Sequence, residues 1–323
     1  MRTRTRLGPL ALLAACLFAL PAAAQLQRIE LHAVPSVTLS GDEFLTGSSS
    51  GKPVTLSGEL RLPVSGAAKV PAVVLVHGSG GLGASTDRWA WEINSAGAAA
   101  FILDSFAGRG IVETATDQSR LNSLAMMVDA YRALGLLAEH PRIDRTRIAV
   151  MGFSKGAVAA IYSSNERFRK LYAPADLAFA AHIGLYTPCN VRYRDDDKVT
   201  GSPMRFFHGI ADDYVSIAPC RDYVARLKLK GVDVTLTEYE GAYHAYDVFT
   251  ITAPIRNPKS QTTRNCFLEE GEGGTILNSK TGQPYTLADP CVELGPQVAY
   301  NEAAHKATVA AVKEFLAASL KLP

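Results

Sequence analysis

Cysteine pairs at metal-binding spacing are missing from this sequence. Its five cysteines, at positions 16, 189, 220, 266 and 291 of 323 residues, form no CxxC pair, which argues against a structural zinc site. An excess of charge of either sign is missing too: 33 basic side chains face 31 acidic ones. That balance gives no electrostatic reason to expect nucleic acid or an anionic membrane as partner. Internal repeats and low-complexity linkers are absent, so nothing divides the chain into two units. The apolar run Leu7 to Leu20 is short for a membrane span of roughly 20 residues, and Pro21 ends it. What is present is an ordinary globular composition, 47% hydrophobic and 20% charged.

The first 24 residues read as an export signal. Arg2, Arg4 and Arg6 precede the apolar run, and Pro21-Ala22-Ala23-Ala24 supplies small residues for cleavage after Ala24. The alternative is a lipid anchor, because Leu13-Ala14-Ala15-Cys16 has the form of a lipobox; the residues after Cys16 stay apolar through Leu20, which favours cleavage. Cleavage removes three of the 33 basic side chains and none of the 31 acidic ones, so the pI near 8.2 of the whole chain does not describe residues 25–323. The expected location is the periplasm or the medium, with no membrane span after cleavage. The four remaining cysteines then suggest two disulfides with three possible connectivities. Proximity in the chain favours Cys189–Cys220 and Cys266–Cys291.

Gln27 to Leu62 alternates apolar and polar residues between turn signals and predicts two or three antiparallel strands. From Pro71 the pattern changes. Ala72 to Val76 is a continuous apolar run, as in a strand buried on both faces. Strands are predicted at Ala99–Asp104, Arg147–Met151, Leu177–Leu185, Met204–His208 and Val232–Tyr239. Helices are predicted at Asp87–Ala96, Ser119–Ala138, Lys155–Ser163, Ala218–Leu229 and Glu302–Leu320. This alternation predicts one α/β unit over 25–323, a mostly parallel twisted sheet with helices on both faces. Residues 250–297 break the rhythm and read as an insertion stapled by Cys266–Cys291. About 18 residues separate Leu185 from Met204, too few for a large helical cap by the length helices need. An open cleft is expected, with Tyr186 and Cys189 on one wall and the insertion at the rim.

Gly152-Phe153-Ser154-Lys155-Gly156 is a GxSxG sequence between a buried strand and an alanine-rich helix. That setting is a nucleophile elbow, which lifts a serine Oγ above the sheet. A serine hydroxyl near neutral pH needs a base, and the base an orienting carboxylate, in the chain order Ser, Asp, His. His244 lies just past the last predicted strand, where a loop overhangs the strand ends. His305 reads as a surface residue of the last helix, and His182 and His208 as core or supporting residues. Asp212 follows the preceding strand at Gly-x-x-Asp spacing; Asp213 reads as a solvated turn or cap residue. The oxyanion donors are expected to be the backbone amides of Lys155 and Ser79, the latter in the loop His77-Gly78-Ser79-Gly80-Gly81-Leu82-Gly83. This loop lacks the Lys-Ser/Thr ending of a phosphate-binding loop. The Lys155 side chain is expected to face solvent.

Five stretches, 76–81, 104–110, 152–156, 209–213 and 241–247, occur in an order and spacing that resemble the dienelactone hydrolase family, specifically its exported, disulfide-bearing branch. The resemblance runs from about Pro71 to Leu320 and implies an α/β-hydrolase fold; many relatives insert a helical cap where this chain has only the short 185–204 connection. It implies hydrolysis of a small ester or lactone without metal or organic cofactor. Founding members carry cysteine where this chain has Ser154, and glutamate where it has Gly78, so the resemblance implies a serine mechanism and less commitment to dienelactone. The family's carboxylate-binding arginine corresponds loosely to Arg109, for which a structural ion pair is the alternative. Gly78, Arg109 and Tyr186 are thus candidate substrate-binding residues. Competing readings are a non-catalytic binding module, an acyltransferase, and a peptidase, which would usually add a propeller or cap.

Overall fold

The computed structural model describes residues 26–322, so the export segment and the lipobox lie outside the described residues. The chain opens with β1 (Leu26–Thr38), a short helix α1 (Gly41–Leu45) and β2 (Lys52–Pro63). β1 and β2 pair antiparallel, as the alternation predicts. Alternating units follow: β3 (Val70–Val76), α2 (Ala84–Ser95), β4 (Ala99–Asp104), α3 (Ser123–Ala138), β5 (Ile143–Phe153), α4 (Lys155–Tyr162) and α5 (Glu166–Tyr172). Then come β6 (His182–Leu185), β7 (Val191–Arg192), β8 (Met204–Gly209), α6 (Ala218–Leu229) and β9 (Val234–Tyr239), and α7 (Glu302–Leu320) ends the chain.

Eight strands form one sheet in the order β1-β2-β4-β3-β5-β6-β8-β9. All neighbours from β4 to β9 are parallel, whereas β1–β2 and β2–β4 are antiparallel. Strand periodicity divides the apolar residues between two cores. Ala72, Val74 and Val76 of β3 join Phe101, Leu103 and Val150 beneath α3 and α4. Val73 and Leu75 join Ala100, Ile102 and Met151 beneath α2 and α7. β3 lies between β4 and β5, so the chain leaves it in opposite directions, and the crevice at such a switch point is where open α/β sheets place ligands.

Several boundaries move for local reasons. α3 begins at Ser123 rather than Ser119, because Asn122 caps it by accepting from the Ala125 amide at 2.8 Å. β6 begins at His182 rather than Leu177, because the Leu177 amide is spent in a turn, bonding to the Pro174 carbonyl at 3.0 Å. α1 and α5 go unseen in the sequence pattern, although Ser40 and Glu43 form a capping box. The connection between β6 and β8 holds only the two-residue strand β7, and among the described residues no cap domain covers the sheet.

Residues 250–297 are less irregular than their composition suggests. β10 (Ile255–Arg256) pairs with β15 (Gln297–Val298), and β11 (Gln261–Thr262) with β14 (Glu293–Leu294). β12 (Leu268–Glu270) pairs with β13 (Ile276–Asn278) and, in parallel, with β7. Cys266–Cys291 closes this segment, and Cys189–Cys220 ties the β6–β8 connection to α6.

Candidate active site

Ser154 sits between β5 and α4 with φ 51° and ψ −118°, a conformation most side chains avoid. The turn is so tight that a Cβ on Gly152 would stand 2.2 Å from the Gly156 carbonyl oxygen. A Cβ on Gly156 would stand 2.2 Å from the Val76 carbonyl oxygen. Only glycine fits these two places, and the turn aims Oγ out of the sheet.

The structure brings Ser154, His244 and Asp212 together from three separate loops. His244 Nε2 lies 3.0 Å from Ser154 Oγ, and His244 Nδ1 lies 2.8 Å from Asp212 Oδ2. The other carboxylate oxygen of Asp212 accepts from the amides of Tyr214 and Val215, both at 2.8 Å. His208 Nε2 stands 3.4 Å from Asp212 Oδ2 and donates to the Val215 carbonyl at 3.1 Å. Burial raises the Asp212 pKa, but the His244 imidazole and the bonds from His208 and His244 outweigh it and hold the carboxyl well below its usual range. The acid and base loops touch at Gly209, where a Cβ would meet the Ala242 carbonyl oxygen at 2.1 Å.

The imidazole of His244 packs against two phenol rings, Tyr186 at 4.5 Å and Tyr214 at 4.6 Å between centroids. Tyr186 has φ 41°, and its hydroxyl donates to Asp247 at 2.9 Å. Buried Asp247 also accepts from Trp89 Nε1 at 2.7 Å and Ser85 Oγ at 2.9 Å, fixing this wall to α2. Tyr214 and Asp247 went unassigned in the sequence. Asp247 could have been noticed as the end of the histidine motif; Tyr214 leaves no such signal.

Gly78 and Ser79 face Ser154 from the loop after β3. A Cβ on Gly78 would stand 3.1 Å from the Phe153 carbonyl oxygen and 3.4 Å from Ser154 Cβ, so the loop packs directly on the elbow. His77 holds it there: its Nε2 accepts from the Ser105 amide at 3.2 Å, leaving Nδ1–H to donate to the Gly78 carbonyl at 2.8 Å. Burial lowers the His77 pKa, consistent with that neutral form. The Lys155 amide opens α4, where a helix offers its N–H no partner. The Ser79 amide donates to no carbonyl among the described turn and loop hydrogen bonds. The site opens into a cleft of about 480 Å³, lined by Ser79, Ser154, Tyr186 and His244 and walled on the insertion side by Ile255 and Val298.

Five expectations need correction. Lys155 does not face solvent: its Nζ is buried against Thr114 Oγ1 and two carbonyls. Arg109 does not line the cleft; it forms an ion pair with Asp129 at 2.7 Å, because Asp129 sits wholly buried on α3 and requires a cation. Cys189 lies outside the cleft, turned towards α6 by its disulfide. Asp213 is not merely a solvated turn residue: it accepts from the Gln297 amide at 2.8 Å and pairs with Arg256 and Arg264, anchoring the insertion. His305 is buried rather than superficial, packed near Trp89. His182 lies in the core, as expected.

Among the described residues one cluster has metal-ligand chemistry, Glu30, His32 and His140. Both imidazoles share Glu30 Oε2, at 3.2 and 3.1 Å, and His140 Nδ1 accepts from the Arg142 amide. This hydrogen-bonded clamp joins β1 to the end of α3 and contributes nothing to the cleft.

The sheet order and the helices on both faces define an α/β-hydrolase fold. The profile of the dienelactone hydrolase family matches residues 58–265, and the chain belongs to that family. No curated protein sequence matches the chain. Solved structures share its fold at low identity. A putative dienelactone hydrolase from Klebsiella pneumoniae is 12% identical, with TM-score 0.57, over 89% of this chain and 99% of that one. A dienelactone hydrolase-like promiscuous phosphotriesterase from metagenomic libraries is 15% identical, with TM-score 0.53, over 90% and 98%. An α/β hydrolase from a deep-sea metagenome library of the Medee basin is 15% identical, with TM-score 0.52, over 90% and 99%.

Proposed function

We propose that this family member is an exported serine hydrolase that cleaves a carboxylic ester or lactone through an acyl-enzyme on Ser154. The observation that carries the reading is the hydrogen-bonded chain from Ser154 Oγ through His244 to Asp212, mounted on a strained elbow. His244 Nε2 takes the Ser154 proton as Oγ attacks the carbonyl carbon, and Asp212 stabilises the imidazolium. The amides of Ser79 and Lys155 receive the negative charge that develops on the carbonyl oxygen. Collapse of the tetrahedral adduct expels the alcohol, which takes the proton from His244. Water then repeats the sequence, activated by His244, and releases the acid with Ser154 restored.

In this scheme the Ser154 proton leaves with the alcohol, and the attacking water supplies, through His244, the proton that restores Ser154. In our reading residues 1–24 are an export signal and residues 25–323 one hydrolase unit carrying a stapled insertion. Two disulfides suit an oxidising compartment, which supports export. Among the described residues no helix is long and apolar enough to cross a membrane. The test is hydrolysis of p-nitrophenyl acetate and butyrate by the wild type and Ser154→Ala. The variant should lose on the order of 10⁴ to 10⁶ in kcat. Equal activity of the two proteins would overturn the reading.

A further inference from the structure

The cleft beside Ser154 contains no charged partner for a substrate. Among the described residues no Asp, Glu, Lys or Arg lines it; the titratable side chains there are His77, His244, Tyr186 and Tyr214. Its apolar lining includes Leu82, Val248, Ile255 and Val298, of which Leu82 and Ile255 are 43% and 51% exposed.

Most cations near the site are engaged within the protein; Lys259, between the lining residues Asn257 and Ser260, is exposed, and its side chain does not line the cleft. Arg109 uses all five N–H donors: Nε on Thr38 Oγ1, Nη1 on the Ser105 carbonyl and Asp129, and Nη2 on the Val37 carbonyl and Asp129. Lys155 uses its three ammonium donors on Thr114, Gln118 and Leu121. Arg256 and Arg264 are drawn onto Asp213. Arg256 also follows Ile255 in β10, and alternation along a strand turns it away from the face that lines the cleft. Two negative charges stand behind the site, Asp212 behind His244 and Asp247 behind Tyr186.

We propose that the site takes uncharged esters with apolar substituents and rejects those carrying a carboxylate near the scissile bond. This rests on Ser154 being the nucleophile. A carboxylate entering the cleft would lose its hydration and find neither a counter-charge nor a free guanidinium. Discrimination of this kind works through the penalty on the wrong ligand, an unpaired charge, and needs no special attraction for the right one. The apolar wall and mouth add favourable contact for an uncharged acyl or alkoxy group.

The test compares mono-p-nitrophenyl adipate with its methyl ester, which share chain length and leaving group but differ in one negative charge. With the purified wild-type protein, kcat/KM should favour the methyl ester by roughly 10²-fold or more. Ile255→Arg places a cation at the exposed edge of the wall, and should narrow that ratio by about tenfold, mainly by raising the rate on the acid. A wild-type ratio within about threefold would overturn the inference while leaving the esterase reading standing. Turnover of neither ester, with Ser154 unreactive to a phosphonate, would overturn the esterase reading and this inference with it.

Discussion

Lys155 Nζ lies 2.9 Å from the hydroxyl of Thr114, in the interior of the protein, although Lys155 directly follows Ser154 at the start of α4. Carbonyls of Gln118 at 3.3 Å and Leu121 at 2.5 Å complete its donors, so one residue joins the elbow to the loop between β4 and α3. No carboxylate touches this ammonium. Burial lowers its pKa from 10.5 to about 7, against weaker opposition from Asp117 and Glu113.

That shift fixes the sign of a pH effect. The unfolded chain holds this proton up to a pH of about 10.4, whereas the folded protein releases it near 7. Between those values the unfolded state binds more protons, so this group makes stability rise with pH. From pH 7 to 9.5 the urea-unfolding free energy of the wild type should gain on that of Lys155→Met by on the order of 1 kcal/mol or more. A difference independent of pH would mean that Nζ stays charged throughout.

Arg109 and Asp129 form a bidentate pair with side chains 5% and 0% exposed. Removing one partner leaves a buried charge without compensation. Arg109→Met should therefore cost about 3–5 kcal/mol in denaturant unfolding. KM for an uncharged ester should not change in the folded protein at low temperature. A raised KM at unaltered stability would return Arg109 to the substrate.

The elbow glycines should tolerate no side chain. Gly156→Ala puts a methyl 2.2 Å from the Val76 carbonyl oxygen and 2.3 Å from that of His77, both backbone atoms. Loss of more than about 2 kcal/mol, or of soluble expression, is expected from such overpacking. Gly66→Ala, with nothing within 4 Å, should change stability by less than about 0.5 kcal/mol and serves as control. Thermal melts of both variants settle the comparison.

Cys266–Cys291 closes a loop with a sequence separation of 25 in the insertion that supplies one wall of the cleft. Cys266→Ser with Cys291→Ser should lower stability by about 3 kcal/mol. It should also raise KM for p-nitrophenyl butyrate, since Ile255 in the insertion lines the cleft and pairs with Val298 at its end. Unchanged KM with lowered stability would separate the staple from the wall.

Much of this protein is legible along the chain. Five apolar residues in a row at Ala72–Val76 mean a strand covered on both faces, and the two cores bear that out. GxSxG after a buried strand means a sharp turn, and Ser154 is in it. The spacing of Asp212 and His244 after their strands suffices to put both at the same sheet end as Ser154. Disulfides between sequence neighbours are short loops, so proximity in the chain is a good guide to Cys189–Cys220 and Cys266–Cys291. These features depend on local backbone geometry or strand alternation, which residue type and period control.

Other features depend on what a side chain meets from distant segments. Lys155 points inward because Thr114 and Leu121, 41 and 34 residues earlier in the chain, offer acceptors there. Arg109 is withdrawn from the cleft because α3 buries Asp129 beside it. Asp213 becomes an anchor only because the insertion returns Gln297 and Arg256 to it. The sequence by itself determined the sheet, its turn at Ser154 and the order of the three site residues, because those follow from periodicity and turn sterics. Only the tertiary structure decided which charges are free to meet a substrate, because a buried charge takes whichever partner the fold brings within reach.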